Sequence, residues 1–477
     1  MSVKATHRDY DRMFPKWERA ADCVSGQDAI HAGGIKYLPK LHAEKDDDYK
    51  ARRARSDFFN TTWRTISGLS GMAFRKEPIY TVPAAIEPYL HDIDMAGLTA
   101  SAFARGLVEE VLESGRAGVL VDYPPMPANV ESITKAADEA QGLRPKMLFY
   151  DAKTIRNWHY ARRRNAWALV MVVLGEDAPI PGKDEWEETC EPRYRVLDLD
   201  EKGFYRQRLF RVNERGEDEL VEGPIYPTMN LKKLDYLPFR INGRNGMSAR
   251  IEEPPTINLV NLNIAHYQIN SDYRHGLHFT GLPTAVVSGY TPADEKAVLT
   301  IGATAAWIFP DPQAKAAYLE FTGQGLGALK EALADLEMRM ALLGARMIAD
   351  ETAQAETLGA TQIKRAGENG VLASIVIGVS QCMEWALGVM AEWAGAGGKV
   401  EYAINREFMP VPMGAQELTG LVGAWQAGGL SDSELFDMFK RGDIIAADKT
   451  LEEHQAEIDK APPMPKPVVA PPSEEAA

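Results

Sequence analysis

The chain has 477 residues, 45% of them apolar and 25% charged, with a formal net charge of −15 and a pI near 5.2. That length exceeds what a single core sustains, so two or more domains are expected. The acidity excludes a protein that grips nucleic acid over a broad surface, although not one past which nucleic acid slides.

Three cysteines (Cys23, Cys190 and Cys382) stand far apart, which argues against a disulfide framework, and they lack Cys-x-x-Cys metal spacing. No apolar run approaches the roughly 20 residues that span a bilayer. The opening "MSVKATHRDYDRMF" has no apolar core and does not read as a signal peptide. The expectation is a cytosolic protein, with no membrane partner.

Residues 1–125 read as mostly helical. "YDRMFPKWERAADCVSG" is a helix stopped by Gly26, and "AGGIKYLPKL" a turn with a short extended piece. From Tyr49 onward, Phe58, Thr62, Ile66, Leu69 and Phe74 keep near-helical spacing until Pro78. "TASAFARGLVEEVLESG" is an amphipathic helix closed by Gly115, and "AGVLVDYPP" a buried strand. Residues 144–250 alternate short β-branched and aromatic runs with turn chemistry, so they read as strands. Together these two regions form one α+β domain.

The stretch from Ile257 to Tyr273 has helical periodicity with two apolar stripes. One holds Ile257, Val260, Ile264 and Tyr267; the other holds Leu259, Leu262, His266, Ile269 and Tyr273. A surface helix needs one stripe, so two predict packing on both flanks. An insert near 280–320 carries "TAVVSGY", "AAWIFP" and "AYLEF", a small strand-bearing unit. A second long helix then repeats Leu329, Leu333, Leu336, Met340, Leu343 and Met347, and would run about 37 Å from Gly325 to Ala349. "ADETAQAETLGATQ" breaks it with small polar residues. Helix resumes at Ile363 and ends in glycines, and "KVEYAINREF" is strand-like. In the following segment a helix closes at Gly428–Gly429, and Ser431 with Glu434 forms a capping box. The tail after Lys460 is Pro-rich.

Candidate chemistry is sparse. "GLGALK" at 325–330 lacks phosphate-loop spacing. His266, His275 and His278, with Asp272, invite a metal reading, but polar packing on a helix accounts for them better. The basic stretches "ARRARSDFF" at 51–59 and "ARRRNAW" at 161–167 read as solvated faces rather than nucleic-acid contacts. Trp385 and Trp393, two turns apart, read as core. There is no nucleophile elbow, and no cofactor is expected. The residues point to a structural or interaction protein and not to an enzyme. An acidic hydrolase with an unrecognised site is the alternative, and its sign would be a pocket of titratable residues with shifted pKa values.

The order of these elements, with the strings "WERAADCVSGQDAIHAGGIKYLPKL", "FFNTTWRTISGLSGMAFRKEP", "GRAGVLVDYP", "YDAKTIRNW" and "NLVNLNIAHYQINSDYRHGLHFTGLPTAVVSG", resembles the portal (head–tail connector) family of tailed bacteriophages. The resemblance covers roughly residues 15–450. It implies an α+β, mainly helical portal fold closing into a ring of about twelve subunits at one capsid vertex, through which double-stranded DNA is packaged and ejected. It implies a wing at 1–254, a first stem helix at 255–279, and a clip at 280–320 that docks the large terminase subunit and then the tail adaptor. A second stem helix at 321–349, a tunnel loop at 350–362, a helix returning to the wing at 363–410 and a crown at 411–460 would follow. Its further partners would be the major capsid and scaffolding proteins, and its place the virion, with assembly in the host cytoplasm.

In such a ring Ile257, Val260, Leu262, Ile264, Tyr267, Leu333, Leu336 and Met340 would make stem contacts between subunits. Asp350, Glu351, Gln354, Glu356, Thr357 and Lys364 would line the channel, where the carboxylates Asp350, Glu351 and Glu356 form a band of charge that repels DNA and keeps it moving. The bland reading of those charges is a solvated loop. Another virion protein, a minor head protein or an adaptor, is the nearest alternative within the same class.

Overall fold

The computed structural model describes residues 2–124, 143–181, 186–230, 232–247, 250–281, 284–288, 313–319, 323–346, 370–408, 415–442, 444–445 and 449–460. It divides into two compact units, one of Met1–Thr357 with Arg365–Arg406, the other of Leu358–Lys364 with Glu407–Ala477.

The first unit opens with α1 (Arg8–Ser25), which buries Tyr10, Met13, Trp17, Ala20 and Cys23 at three- and four-residue spacing and stops at Gly26 with φ 92°. α2 (Gln27–Gly33) follows, and where 32–41 was expected to be a turn with a short extended piece the chain ends α2 and forms a 3-10 turn at Gly34–Lys36. The Tyr37 ring lies where a side chain at Gly33 would stand, and its hydroxyl donates to Asp22, which folds this turn back onto α1.

The single helix expected toward Pro78 is two, α3 (Asp46–Arg55) and α4 (Thr61–Ala73). The break falls at Asn60, whose side chain accepts the Trp63 N–H at 3.0 Å and so caps α4. Acidic residues fill the first turn of α3 and arginines the last, in the sense the helix dipole favours. Strand β1 (Ile79–Thr81) comes next, and then α5 (Ala100–Ser114). Thr99 caps α5, and Gly115 ends it in the left-handed region, where a Cβ would stand 3.1 Å from the Glu253 carbonyl oxygen.

Strand β2 (Arg116–Asp122) is the buried centre of a three-stranded antiparallel sheet, between β3 (Lys146–Tyr150) and a strand from later in the chain. Gly118 on β2 admits the Phe239 ring, because a Cβ there would lie 2.6 Å from it. A five-stranded antiparallel meander follows: β4 (Ile155–Arg163), β5 (Ala166–Pro181), β6 (Glu188–Leu199), β7 (Tyr205–Val212) and β8 (Asp218–Ile225). Short β9 (Thr228–Met229) and β10 (Lys232–Lys233) pair with each other, and β11 (Phe239–Gly243) completes the β2 sheet.

Next come α6 (Ile257–Gly281), β12 (Thr284–Ser288), β13 (Lys315–Leu319), α7 (Gln324–Arg346), α8 (Val371–Trp393) and β14 (Glu401–Ala403), the last pairing with β1. By length and composition α8 is apolar enough to cross a membrane, contrary to the reading that no run approached that size. Its burial accounts for the composition: Leu372, Ile375, Val379, Met383, Leu387 and Met390 are enclosed, and the helix packs on α5, β2 and β11. Trp393, at its end, donates Nε1–H to the Thr228 carbonyl at 3.0 Å, a packing role as expected. In the second unit α9 (Ala415–Gln426), α10 (Asp432–Arg441) and α11 (Leu451–Lys460) are helical. The Ser431–Glu434 capping box forms as read.

Candidate functional site

The feature that sets this fold apart from a closed α+β body is the pair α6 and α7. The helices run antiparallel. Gly276 on α6 faces Leu326 on α7 so closely that a Cβ would fall 2.7 Å from it, and further along His266 meets Glu337 at 3.4 Å. Near the other end of α7, Gly344 faces Thr65 of α4. Where the pair ends, β12 and β13 form an antiparallel ribbon from Thr284↔Leu319 to Ser288↔Lys315.

The root of α6 is fixed by its polar residues. Asn263 is fully buried. Its Oδ1 accepts the Thr61 and Thr62 N–H groups (3.2 and 3.1 Å) and the Thr62 hydroxyl (3.0 Å), while its Nδ2 donates to the Phe59 carbonyl at 2.8 Å. The N–H groups that α4 cannot satisfy internally are thus met by a residue two hundred positions away. Gln268 donates to the Tyr37 carbonyl at 2.8 Å, and Thr256 to the Leu112 carbonyl at 3.0 Å. Ser271 accepts from Arg52 and from Ser56 (3.2 and 2.7 Å).

Arg52 lies in the basic stretch read as a solvated face, yet its side chain is 1% exposed. It makes a two-pronged pair with Glu44 at 2.7 and 2.9 Å and donates to the Pro39 carbonyl. The hydrogen bonds from Arg52 hold the Glu44 carboxyl down at about 2, against the opposing effect of burial. The reading of 51–59 as solvated is therefore corrected for Arg52, because α6 and the 37–44 loop cover it.

Both apolar stripes of α6 find their partners within the chain. Val260 and Tyr267, each 0% exposed, join Ala20, Cys23, Ile30, Tyr49 and Phe58 in one cluster, with Ile264 packed against it. Ile257 is buried too, while Leu262 remains half-buried. The second flank carries α7, whose Leu333 and Met340 are buried and Leu336 half-buried. Val260 and Tyr267, expected as contacts between subunits, are enclosed instead by α1 to α4. The prediction of two covered flanks holds, but the cover is this chain's own.

What stays open is a different set. On the side of α7 turned away from its buried stripe, Met338 and Leu342, one turn apart, are 73% and 50% exposed. Leu277 and Phe279 stand open toward the ribbon end of α6. The signal for Met338 and Leu342 was present in the sequence, as apolar residues four apart and out of phase with the Leu333–Leu336–Met340 stripe. Asp350, Glu351, Gln354, Glu356, Thr357 and Lys364, expected to line a channel, lie outside the described residues, as do 289–312 of the expected clip.

His266 is buried beside Phe59, and His275 stacks edge-on against Phe279. Among the described residues no three His, Cys, Asp or Glu side chains are placed to hold a metal ion. The "GLGALK" residues are simply the start of α7. Burial pushes the Glu113 carboxyl up to about 7 and raises Glu110, both on α5. Glu110 is engaged by the Ala152 N–H at 3.0 Å. Neither lines the described cleft of about 520 Å³ bounded by Glu77, His91, Arg105 and Tyr402.

A family model described as a domain of unknown function, DUF4055, matches residues 255–394, the span from α6 through α8. No curated protein matches the sequence. Among solved structures the chain is similar to a chain of the virion of a native gene transfer agent (GTA) particle, with 13% identity, a TM-score of 0.39, and 86% of this chain and 96% of that chain covered. It is similar also to chains in the neck of an empty GTA particle computed with C6 symmetry (14% identity, TM-score 0.37, 86% and 97% covered) and in the neck of the native particle computed with C12 symmetry (14%, 0.36, 87% and 98%).

Proposed function

We propose that this chain is the portal subunit of a phage-type particle, a virion structural protein that assembles with copies of itself into a ring around a DNA channel. The observation that carries the reading is the arm: two long antiparallel helices anchored at their root in an α+β body, ending in a two-stranded ribbon and followed by a core helix, α8. An arm of that kind is the part of a portal that builds the stem, and the element order around it is that of the portal family.

In this reading Met338 and Leu342 carry the contact between neighbouring stems. An isolated chain leaves the two residues wet, and a heterologous contact repeated around an axis would cover them. Val260 and Tyr267 hold the arm to the body instead. The ribbon belongs to the clip, which would receive the large terminase subunit and later the tail adaptor. Asp350, Glu351 and Glu356 would repel DNA from the channel wall. The protein performs no catalysis of its own and needs no cofactor.

Two-dimensional class averages of the purified protein test the proposal. Rings of about twelve subunits with a central hole support it; a solution of monomers at concentrations up to micromolar, with no ring class, overturns it.

A further inference from the structure

Ahead of α1, the segment Ser2–His7 crosses the outer face of the meander. At β8 the Ser2 hydroxyl and the Val3 N–H both donate to the Asp218 carboxylate, at 2.6 and 2.8 Å. At β4, on the opposite edge of the sheet, Asn157 donates its side-chain N–H to the Ala5 carbonyl at 3.1 Å, and the His7 N–H donates to the Arg156 carbonyl at 3.0 Å. Between these anchors Val3 packs on the cluster of Val173, Tyr194 and Val196, with Phe210 beside it. Three of those four strand residues are under 8% exposed with the segment in place.

The latch is the imidazole of His7. It stacks on the Trp158 ring at 4.1 Å and 23°, and the Arg116 guanidinium lies 4.2 Å from the same ring. Arg116 is 3% exposed, and two of its three guanidinium nitrogens, Nε and Nη1, have no hydrogen-bond partner. A proton on His7 would therefore bring a second cation to a ring already shared with a buried one.

We infer that Ser2–His7 is a strap that lies closed on the meander at neutral pH and opens as the solution turns acid, baring the apolar face under Val3. The charged and titratable groups that face the latch are Asp9 and Asp11 on α1, Arg116 on β2, and Arg156 and His159 on β4. Asp218 stands at the far anchor. Burial, with Arg116 and His159 acting in the same direction, lowers the His7 pKa below its ordinary 6.5, while Asp9 and Asp11 pull the other way. The sign follows from linkage. Above pH 6.5 the imidazole is neutral with the strap on or off. As pH falls below 6.5 the free strap takes up the proton first, so closing weakens.

The test is hydrogen exchange of the full chain, followed in the peptide spanning residues 2–10 and corrected for the intrinsic rate at each pH. From pH 7.5 to 5.5, protection of this peptide should fall several-fold while peptides of β2 stay protected. His7 caps α1, its Nδ1 accepting the Asp9 N–H at 3.1 Å; His7→Asn keeps a side chain able to cap, and His7→Phe keeps the aromatic stack, and neither takes a proton in this range. The pH dependence should vanish in both, and Val3→Asp should leave the strap open at both pH values. Protection that is independent of pH in the unmodified chain overturns the inference. So does a pH dependence that survives in both His7 variants, which would assign it to another group.

Discussion

The body and the arm of this protein use the same residue types to opposite ends. In the body, α8 is apolar nearly all round, and its Leu372, Ile375, Val379, Met383, Leu387 and Met390 are buried where it packs on α5, β2, β11 and β14. The arm is closed only on one side. Its root is pinned by Asn263, Gln268 and Ser271, while Met338 and Leu342 stand in solvent on the outer side of α7. Full burial makes a unit that folds alone. A stripe left open on a rigidly held helix makes a surface that waits for a neighbour.

Substitutions can break that comparison in order of effect. The largest is Val260→Asp at the root. The site is 0% exposed and offers no partner for a charge, so unfolding in urea should show a loss of roughly 4 kcal/mol or outright failure to fold. Asn263→Ala comes next. It strips the buried Thr62 of the acceptor for its N–H and hydroxyl, and takes one partner each from the Thr61 N–H and the Phe59 carbonyl, which keep each other at 2.8 Å; it should cost about 2 kcal/mol in the same assay.

Acid should loosen the root through Glu44. Its carboxyl is held low by Arg52, so the pair contributes stability above the ordinary carboxylate value of 4.5, and that contribution is lost as pH falls from there toward about 2. The difference in urea midpoint between the unmodified chain and Glu44→Gln should therefore shrink over that window. A constant difference would mean that Glu44 does not titrate with the fold. The smallest effect on stability belongs to the outer side of the arm. Met338→Asp should change the unfolding midpoint of the isolated chain by no more than about 0.5 kcal/mol, because the side chain is already wet.

Much of the body was legible in the sequence, because its signals are local. Gly26 and Gly115 end helices where they stand, and Ser431 with Glu434 opens one, since each needs only its own backbone neighbours. The break between α3 and α4 was missed for the opposite reason. Part of what defines the start of α4 is Asn263, which no window around residue 60 contains. Periodicity on α6 gave the right number of covered flanks and the wrong owner of the cover on one of them. A stripe records that a face is dry and carries no mark of which chain dries it. Arg52 reads as one more charge in a basic run, and only the fold brings Glu44 and Ser271 to it.

The central claim, that the outer side of α7 joins one copy to the next, is tested most directly by mass photometry of the full chain beside the double variant Met338→Asp/Leu342→Asp. The unmodified protein should appear as a species near twelve times its 52.7 kDa subunit mass, and the variant as single subunits with an unchanged circular dichroism spectrum. Rings that persist in the variant would contradict the account.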